Sequence, residues 1–329
     1  MRAAVDISVA IITYNHKNYI EQALESVLSQ KTDCTYEIVI GDDCSTDGTT
    51  EIIGRYAEEY KNIIRTVKRN KNVGPTKNLY DVISSCKGKY IVFLEGDDYY
   101  TDIYKFQKQY DFLESNENIK ACAHRLEIVD KAGNHLLYTL SDLELNSFMT
   151  EKHFELYNTD MLHMNTIMLE NFFIGDMEKY DIIYKSNYWS AHSLLLLMIL
   201  NLTDIYVFSE PMSVWRQVNE VGATNYTSQA SSKALEMYEE KIKLYKAELL
   251  YFKNSNLSLN FKKMFLLCYW NGIKKISEIN PTDKAMWRKK YRAYLKKSEH
   301  IQAMFVGTVS DFSNTLNRLI HQIYRKIRR

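Results

Sequence analysis

Over residues 5–94 the chain switches repeatedly between two hydrophobic periods, and that alternation restricts the available folds more than any other feature of the sequence. VDISVAII (5–12), YEIVIG (36–41), IIRTVK (63–68) and YIVFL (90–94) are short apolar runs of strand length. Between them, Tyr19, Ile20, Ala23, Leu24, Val27 and Leu28, then Ile52, Ile53, Tyr56, Ala57 and Tyr60, recur at helical spacing. Leu79, Val82, Ile83 and Cys86 do the same over residues 77–86. Strands that are apolar throughout and alternate with amphipathic helices predict crossover units: an α/β fold with a mainly parallel sheet flanked by helices.

In such sheets ligands bind beyond the carboxyl ends of the strands. The loops there are chemically consistent: Thr13-Tyr14-Asn15 after the first strand, Asp42-Asp43 after the second, and Glu95-Gly96-Asp97-Asp98 after the fourth. Each is open to a plain reading, because Asp, Asn and Thr commonly cap the helices that follow. A cap needs one acid, however, and here adjacent acids arrive from two separate strands. Carboxylates grouped on one rim suit a hard divalent cation, Mg²⁺ or Mn²⁺, which shares its shell with substrate phosphates. Asp42 and Asp43 suit a base or a ribose. There is no G-x-x-x-x-G-K-[ST] loop, no G-x-G-x-x-G after the first strand, and no local pattern for a nucleophilic Ser or Cys.

Beyond residue 118 the pattern loosens. IKACAHRLEIVD and HLLYTL, joined by the turn residues Lys131-Ala132-Gly133-Asn134, predict a hairpin. DIYVFSEPMSVWR (204–216) reads as two short strands separated by a Glu-Pro turn. From Ser228 onward the chain is helical and basic: residues 233–329 hold 21 Lys+Arg against 8 Asp+Glu, a net of +13, which leaves about −12 for residues 1–232 in a chain of +1. The charge step and the small polar residues of VGATNYTSQASS place a domain boundary between 1–225 and 226–329.

MWRKKYRAYLKK and LIHQIYRKIRR combine Lys and Arg with aromatic residues, as in a basic amphipathic helix at a membrane surface or an oligomer contact. A solvated helix face reads the same way, and no nucleic-acid-reading motif accompanies the charge. Five scattered cysteines without a C-x-x-C pair argue against a disulfide framework or a zinc site and for a reducing compartment. The start MRAAVDISVAII lacks a small-residue cleavage site, and the longest apolar run, 194–200, is far too short to span a bilayer. The expected location is the cytoplasm, free or peripheral at the cytoplasmic face of the membrane.

The run VAIITYNHKNYIEQALESVLSQ, then YEIVIGDDCSTDGT, NKNVGPTKN and GKYIVFLEGDD, resembles the family 2 nucleotide-sugar glycosyltransferases of the GT-A (Rossmann-like) fold. Four ordered motifs carry the resemblance through roughly the first 130 residues, the expected donor half, with an acceptor half over 131–225. It implies that Thr13, Tyr14 and Asn15 meet the nucleotide and that Asp43, with Asp42 beside it, binds the uracil or ribose region. Lys77 and Asn78 match an Arg-Asn that lines the nucleotide site. Asp97 and Asp98 match the D-x-D-like element, with Asp98 the direct metal ligand, and Glu95 keeps a carboxylate two residues earlier.

The resemblance also implies a general base, an Asp about eighteen residues before the Glu of SEPMSVWR. Counting back from Glu210 reaches His192 instead, a competent base near neutral pH or simply a residue packed on the apolar run. A shifted alignment promotes Asp181 or Asp176. Where family members carry a metal- or diphosphate-binding His after Trp215-Arg216, this chain has Gln217-Val218-Asn219, leaving Arg216 to bind phosphate as a charge-assisted hydrogen-bond donor. His163 and Asn165 edge the expected acceptor pocket.

The function implied is metal-dependent, inverting transfer of a sugar from a nucleoside diphosphate donor, UDP-linked, to a hydroxyl of a glycan or lipid-linked acceptor in surface polysaccharide assembly. The alternative is a non-catalytic nucleotide-binding relative acting as an assembly module. A third reading, phosphoryl transfer to Asp42 or Asp43, leaves the basic half without a role.

Overall fold

The computed structural model describes residues 5–136, 147–151, 162–218, 234–258 and 261–277, with 284–286, 289 and 302 beyond them. β1 (Ile7–Thr13), α1 (Ile20–Leu28), β2 (Tyr36–Asp42), α2 (Thr49–Glu59), β3 (Ile64–Val67), α3 (Pro75–Ser85) and β4 (Tyr90–Glu95) follow the alternation of the sequence. Their strands form a parallel block in the order β3-β2-β1-β4. Helices cover this block, which is why β1 and β4 are apolar at nearly every position. Ile7, Val9, Ile11, Ile38, Ile40, Val92 and Leu94 form the core against Ile20, Ala23, Leu24 and Val27 of α1.

Register decides where the functional loops emerge. Thr13 pairs with Asp42, and Ile12 with Glu95. The three strands therefore end level, and their loops share one rim.

The rest of the sheet is mixed. β5 (Tyr99–Tyr100) and α4 (Lys105–Ser115) precede β6 (Ala121–Val129), β7 (Ser147–Met149), β8 (Met168–Glu170) and β9 (Ile205–Arg216). β8 lies antiparallel between β4 and β6, β9 runs parallel to β6, and β5 and β7 pair antiparallel with β9. The two short strands expected over 204–216 are one strand. Its register against β6 shifts between His124 and Arg125 and again between Arg125 and Leu126, and Pro211, which has no N–H to donate, sits at that irregularity. Of the expected hairpin, a turn held by Asp130 and an isolated bridge between Val129 and His135 are seen, and residues 137–146 lie outside the described residues.

Single turns of 3₁₀ helix, Met164–Thr166 and Met177–Tyr180, flank β8, and α5 (Ile182–Lys185) follows. α6 (His192–Leu200) is buried at every position after its first, so its even apolarity marks a core helix.

The chain divides into two compact units: Met1–Ser232 with Ser255–Leu259, and Lys233–Asn254 with Asn260–Arg329. In the second, α7 (Ala234–Tyr251) packs on α8 (Phe261–Ser277), burying Ile242, Leu244, Leu266 and Tyr269. The boundary expected at 225/226 and the basic segments expected to meet a membrane or another subunit fall almost wholly outside the described residues. No helix among the described residues is long and apolar enough to cross a membrane.

Candidate active site

The loops after β1 and β2 are laced together before any ligand is considered. The Asn15 backbone adopts φ +56°, a left-handed conformation that Asn tolerates better than most residues. Its N–H donates to Ser45 Oγ at 2.8 Å, and its side-chain oxygen accepts from the Thr46 N–H at 2.8 Å. The His16 N–H donates to Thr49 Oγ1 at 2.9 Å, and the Lys17 N–H to Asp47 Oδ2 at 3.0 Å.

Asp42 accepts from the Ser45 N–H and from the hydroxyls of Ser45 and Thr50, so its carboxylate ties down the start of α2. Asp43 turns inward and is 2% exposed. Its two oxygens accept the N–H groups of Val73 and Gly74, each at 2.8 Å, drawing that loop over the rim. Gly74 then starts α3 at φ +89°, with the Tyr188 ring where any Cβ would stand. Burial, then the charge of Asp43 and the hydroxyl of Tyr14, push the Tyr188 pKa upward.

The two residues expected to line the nucleotide beside Asp43 are otherwise engaged. Asn78 is buried, donating to the Gly41 carbonyl at 2.7 Å and accepting from Arg69 Nε at 3.0 Å. Lys77 pairs with Asp81 and lies over the rings of Tyr80 and Tyr184. Arg69 lies 3.9 Å from Asp43 and 2.8 Å from Asp81.

At the end of β4, Gly96 allows close approach of two loops: a Cβ there would lie 2.4 Å from Thr13 Oγ1 and 2.9 Å from His16 Nδ1. His16 Nδ1 is 3.2 Å from Thr13 Oγ1, and its Nε2 faces Asp97 Oδ2 at 3.8 Å. The other Asp97 oxygen is buried without a hydrogen-bond partner. Asp98 is more fully held. The Arg216 N–H donates to its Oδ1 at 2.8 Å, and Asn165 Nδ2 to its Oδ2 at 2.9 Å. Asn165 is itself fixed, donating to the Val214 carbonyl at 3.1 Å and accepting from Ser213 Oγ at 3.1 Å.

Arg216, expected to reach phosphate, is 5% exposed and committed to the protein. Its Nε donates to the Asp97 carbonyl at 3.0 Å, one terminal nitrogen donates to Gln22 at 2.8 Å, and the guanidinium lies over Tyr19 and Tyr99. It anchors the acidic loop.

Glu95, Asp98 and His163 offer ligand atoms that all lie within 4.8 Å of one another. Burial, and then the Asp97 charge, push the Glu95 carboxyl up to about 8. Burial, Asp97 and Glu95 raise Asp98 well above the carboxylate range, opposed by the Arg216 and Asn165 hydrogen bonds. Crowded, desolvated carboxyls of this kind are stabilised in their charged form by a cation. The donor set, two carboxylates and an imidazole, fits a divalent ion.

Of the residues considered as base, the structure brings one to this cluster. The His192 ring lies 6.1 Å from the His163 ring, edge to face, at the first turn of α6. Asp181 accepts from the Tyr80 hydroxyl at 2.7 Å and pairs with Lys185, and these contacts hold its carboxyl below the usual range. Asp176 pairs with Lys179.

A family model, Glycosyl transferase family 2, matches residues 8–173, half of the 329-residue chain. This chain belongs to glycosyl transferase family 2. An uncharacterized protein of Mycobacterium tuberculosis is 38% identical over 127 residues, covering 39% of this chain and 37% of that protein. The match therefore spans well under half the length of that relative. Abequosyltransferase RfbV of Salmonella typhimurium is 27% identical over 226 residues, 65% of this chain and 67% of RfbV. The structure of S. aureus TarS 1–349 in complex with UDP-GlcNAc superposes with a TM-score of 0.60 at 19% identity, covering 89% of this chain and 82% of that one, a likeness of fold.

Within the family 2 framework, the motif positions alone pass over three features of the rim. His16 sits between Thr13 and Asp97, Arg69 beside Asp43, and Tyr188 against Gly74. His163, expected at the edge of an acceptor pocket, lies instead against Asp98. Arg69 and Tyr188 arrive through the fold, so spacing along the chain does not reveal them.

Proposed function

We propose that the chain transfers a glycosyl residue from a UDP-linked sugar to a hydroxyl of a glycan or lipid-linked acceptor in surface polysaccharide assembly. The observation that carries this reading is the convergence of Glu95, Asp98 and His163 on the rim where Asp43 and Tyr14 also stand. The UDP-GlcNAc bound to TarS, whose fold this chain shares, supports a UDP donor. The activity of RfbV supports sugar transfer.

The rim divides the work. Tyr14, Asp43 and Tyr188 form the corner suited to the base and ribose. Lys77 and Arg216 are engaged with protein groups, whereas Glu95, Asp98 and His163 would hold a divalent cation. Mn²⁺ or Mg²⁺ bound there would neutralise the charge of a departing diphosphate. Asn165 and the Arg216 N–H hold Asp98 in place, so little reorganisation is needed during reaction.

His192 takes the proton from the acceptor hydroxyl at an imidazole nitrogen. As it does so, the acceptor oxygen bonds to the anomeric carbon and the bond to the diphosphate oxygen breaks on the opposite face. A single in-line displacement of this kind inverts the anomeric centre.

The test is UDP release from a panel of UDP-sugars with Mn²⁺ and a hydroxyl acceptor. Asp98→Asn is expected to lower turnover by about 100-fold or more, a loss of roughly 3 kcal/mol of transition-state stabilisation. UDP binding by the wild type without turnover on any acceptor favours a binding module over an enzyme. Turnover that survives Asp98→Asn and His192→Ala together contradicts the mechanism.

A further inference from the structure

We infer that Lys105 and Gln109 of α4 form a strut that positions Asn165, and through it Asp98, for the transfer reaction, and that the protein keeps this strut at a cost in stability. The inference rests on the proposed role of Asp98. It adds two positioning residues that act on the site from behind, through the protein.

The strut is a run of buried hydrogen bonds with a defined direction. Lys105 Nζ donates to Gln109 Oε1 at 2.6 Å, one turn further along α4. With that oxygen engaged, the amide nitrogen of Gln109 faces the other way. It donates to the Thr166 carbonyl at 3.0 Å and to the Cys122 carbonyl at 3.4 Å. Thr166 ends the turn Met164–Thr166, whose middle residue is Asn165. Asn165 Nδ2 in turn donates to Asp98 Oδ2 at 2.9 Å and to the Val214 carbonyl at 3.1 Å. Lys105, Gln109, Thr166, Asn165 and Asp98 are each 1% exposed or less, so water does not stand in for a lost link.

The amine also braces the far side of the acidic loop. It lies 4.5 Å from the centre of the Tyr100 ring, and Tyr100 is the second residue after Asp98. The Tyr100 hydroxyl donates to the Phe93 carbonyl at 2.8 Å, on the strand that ends in Glu95. The helix behind is itself fixed: Gln30 Oε1 accepts from the Phe106 N–H at 3.1 Å, and Gln30 Nε2 donates to the Asp102 carbonyl at 2.8 Å.

A core packed for stability alone places an apolar side chain at position 105. Burial disfavours the charged amine, and the groups around it do little to offset this. Tyr100, Cys122 and His124 are each kept neutral by burial, and Asp102 pairs with Lys108 at 2.7 Å. Met has nearly the length of Lys without that cost. What Met lacks is the N–H that engages Gln109 Oε1 and so aims Gln109 Nε2 at the turn. Buried polar groups that lower stability are expected where a site must be held in one geometry.

The experiment compares the wild type, Lys105→Met, Gln109→Leu and the double variant as full chains at pH 7. It reads the thermal midpoint, hydrogen exchange over residues 163–167 without ligand, and UDP release from a panel of UDP-sugars with Mn²⁺. The Thr166 and Ile167 N–H groups in that segment close the turn on the His163 and Met164 carbonyls. Lys105→Met is expected to raise the midpoint by about 3 °C or more, to speed exchange at the turn by about fivefold or more, and to lower kcat by about tenfold or more. Gln109→Leu is expected to lower kcat likewise. Adding Lys105→Met to it should cause no further loss, because the amine acts through the amide. UDP binding measured with a chelator reports the base and ribose corner and should be equal in all four proteins.

A residue that only packs moves stability and turnover in the same direction. A Lys105→Met variant that falls in midpoint and kcat together, or that keeps wild-type exchange and kcat, overturns the inference. Wild-type kcat in Gln109→Leu does so independently. In each case UDP-sugar transfer by the wild type leaves the functional reading standing. Absence of UDP release from the wild type overturns that reading, and exchange at the turn then decides whether the strut exists.

Discussion

Replacing Lys105 by Met is expected to stabilise the protein, and by an amount that depends on pH in a defined way. Lys105 is fully buried on α4, its Nζ donating to Gln109 Oε1 at 2.6 Å and lying 4.5 Å from the centre of the Tyr100 ring. Burial lowers its pKa from 10.5 to about 7, against smaller opposing effects of Cys122 and Asp102. Between those values the unfolded chain binds a proton that the folded one does not, so stability rises with pH across that window. The cost is complete below pH 7 and absent above 10.5. At about 1.4 kcal/mol per pH unit, it amounts to about 4 kcal/mol at pH 7.

Losing the bond to Gln109 offsets about 1–2 kcal/mol of this. Lys105→Met should therefore gain about 2–3 kcal/mol at pH 7 and nothing, or slightly less than nothing, by pH 10. Urea unfolding of both proteins at pH 7 and pH 10 reads the difference directly. A Met variant that is less stable at both pH values, or a gain that does not shrink with pH, refutes the reasoning and means that the buried amine stays charged.

Other expectations follow from the same geometry. Gly96→Ala puts a Cβ 2.7 Å from Thr13 Cβ, on a strand that cannot yield; it should cost about 1–3 kcal/mol in urea unfolding and weaken UDP binding by parting the two loops. Among the thiols whose burial is described, Cys44 alone is partly exposed, while burial pushes Cys86 and Cys122 up to about 12. Cys44 should react first with a disulfide reagent at pH 8, and UDP should slow it, since Cys44 follows Asp43 directly.

The parallel half of the fold is readable because β1, β2 and β4 are apolar on both faces and α1 to α3 are amphipathic, so period and burial agree. α4 escapes that logic: its buried face includes Lys105 and Gln109, which a hydropathy pattern assigns to solvent. The single strand β9 is hidden by Pro211, a turn residue by sequence and a bulge residue by structure. At the site, the acids of FLEGDDYY stand out because three of them end one strand. Their partners His163, Asn165 and Arg216 come from residues far along the chain, and only tertiary packing unites them.

Lys77, Asn78 and Arg216 have the residue types of a phosphate-binding rim, yet each is taken up by a nearer partner: Asp81, the Gly41 carbonyl and the Asp97–Asp98 loop respectively. Residue type marks what a side chain is able to hold, and packing decides what it does hold.

The central claim is that this rim binds a nucleoside diphosphate through a cation on Asp98. Calorimetric titration of UDP into the wild type and Asp98→Asn, with Mn²⁺ and then with a chelator, tests it most directly. The account predicts UDP binding that falls by about tenfold or more, at least 1.4 kcal/mol, both on chelation and in the variant. Equal UDP affinity under all these conditions, or no binding to the wild type with Mn²⁺ present, would contradict it.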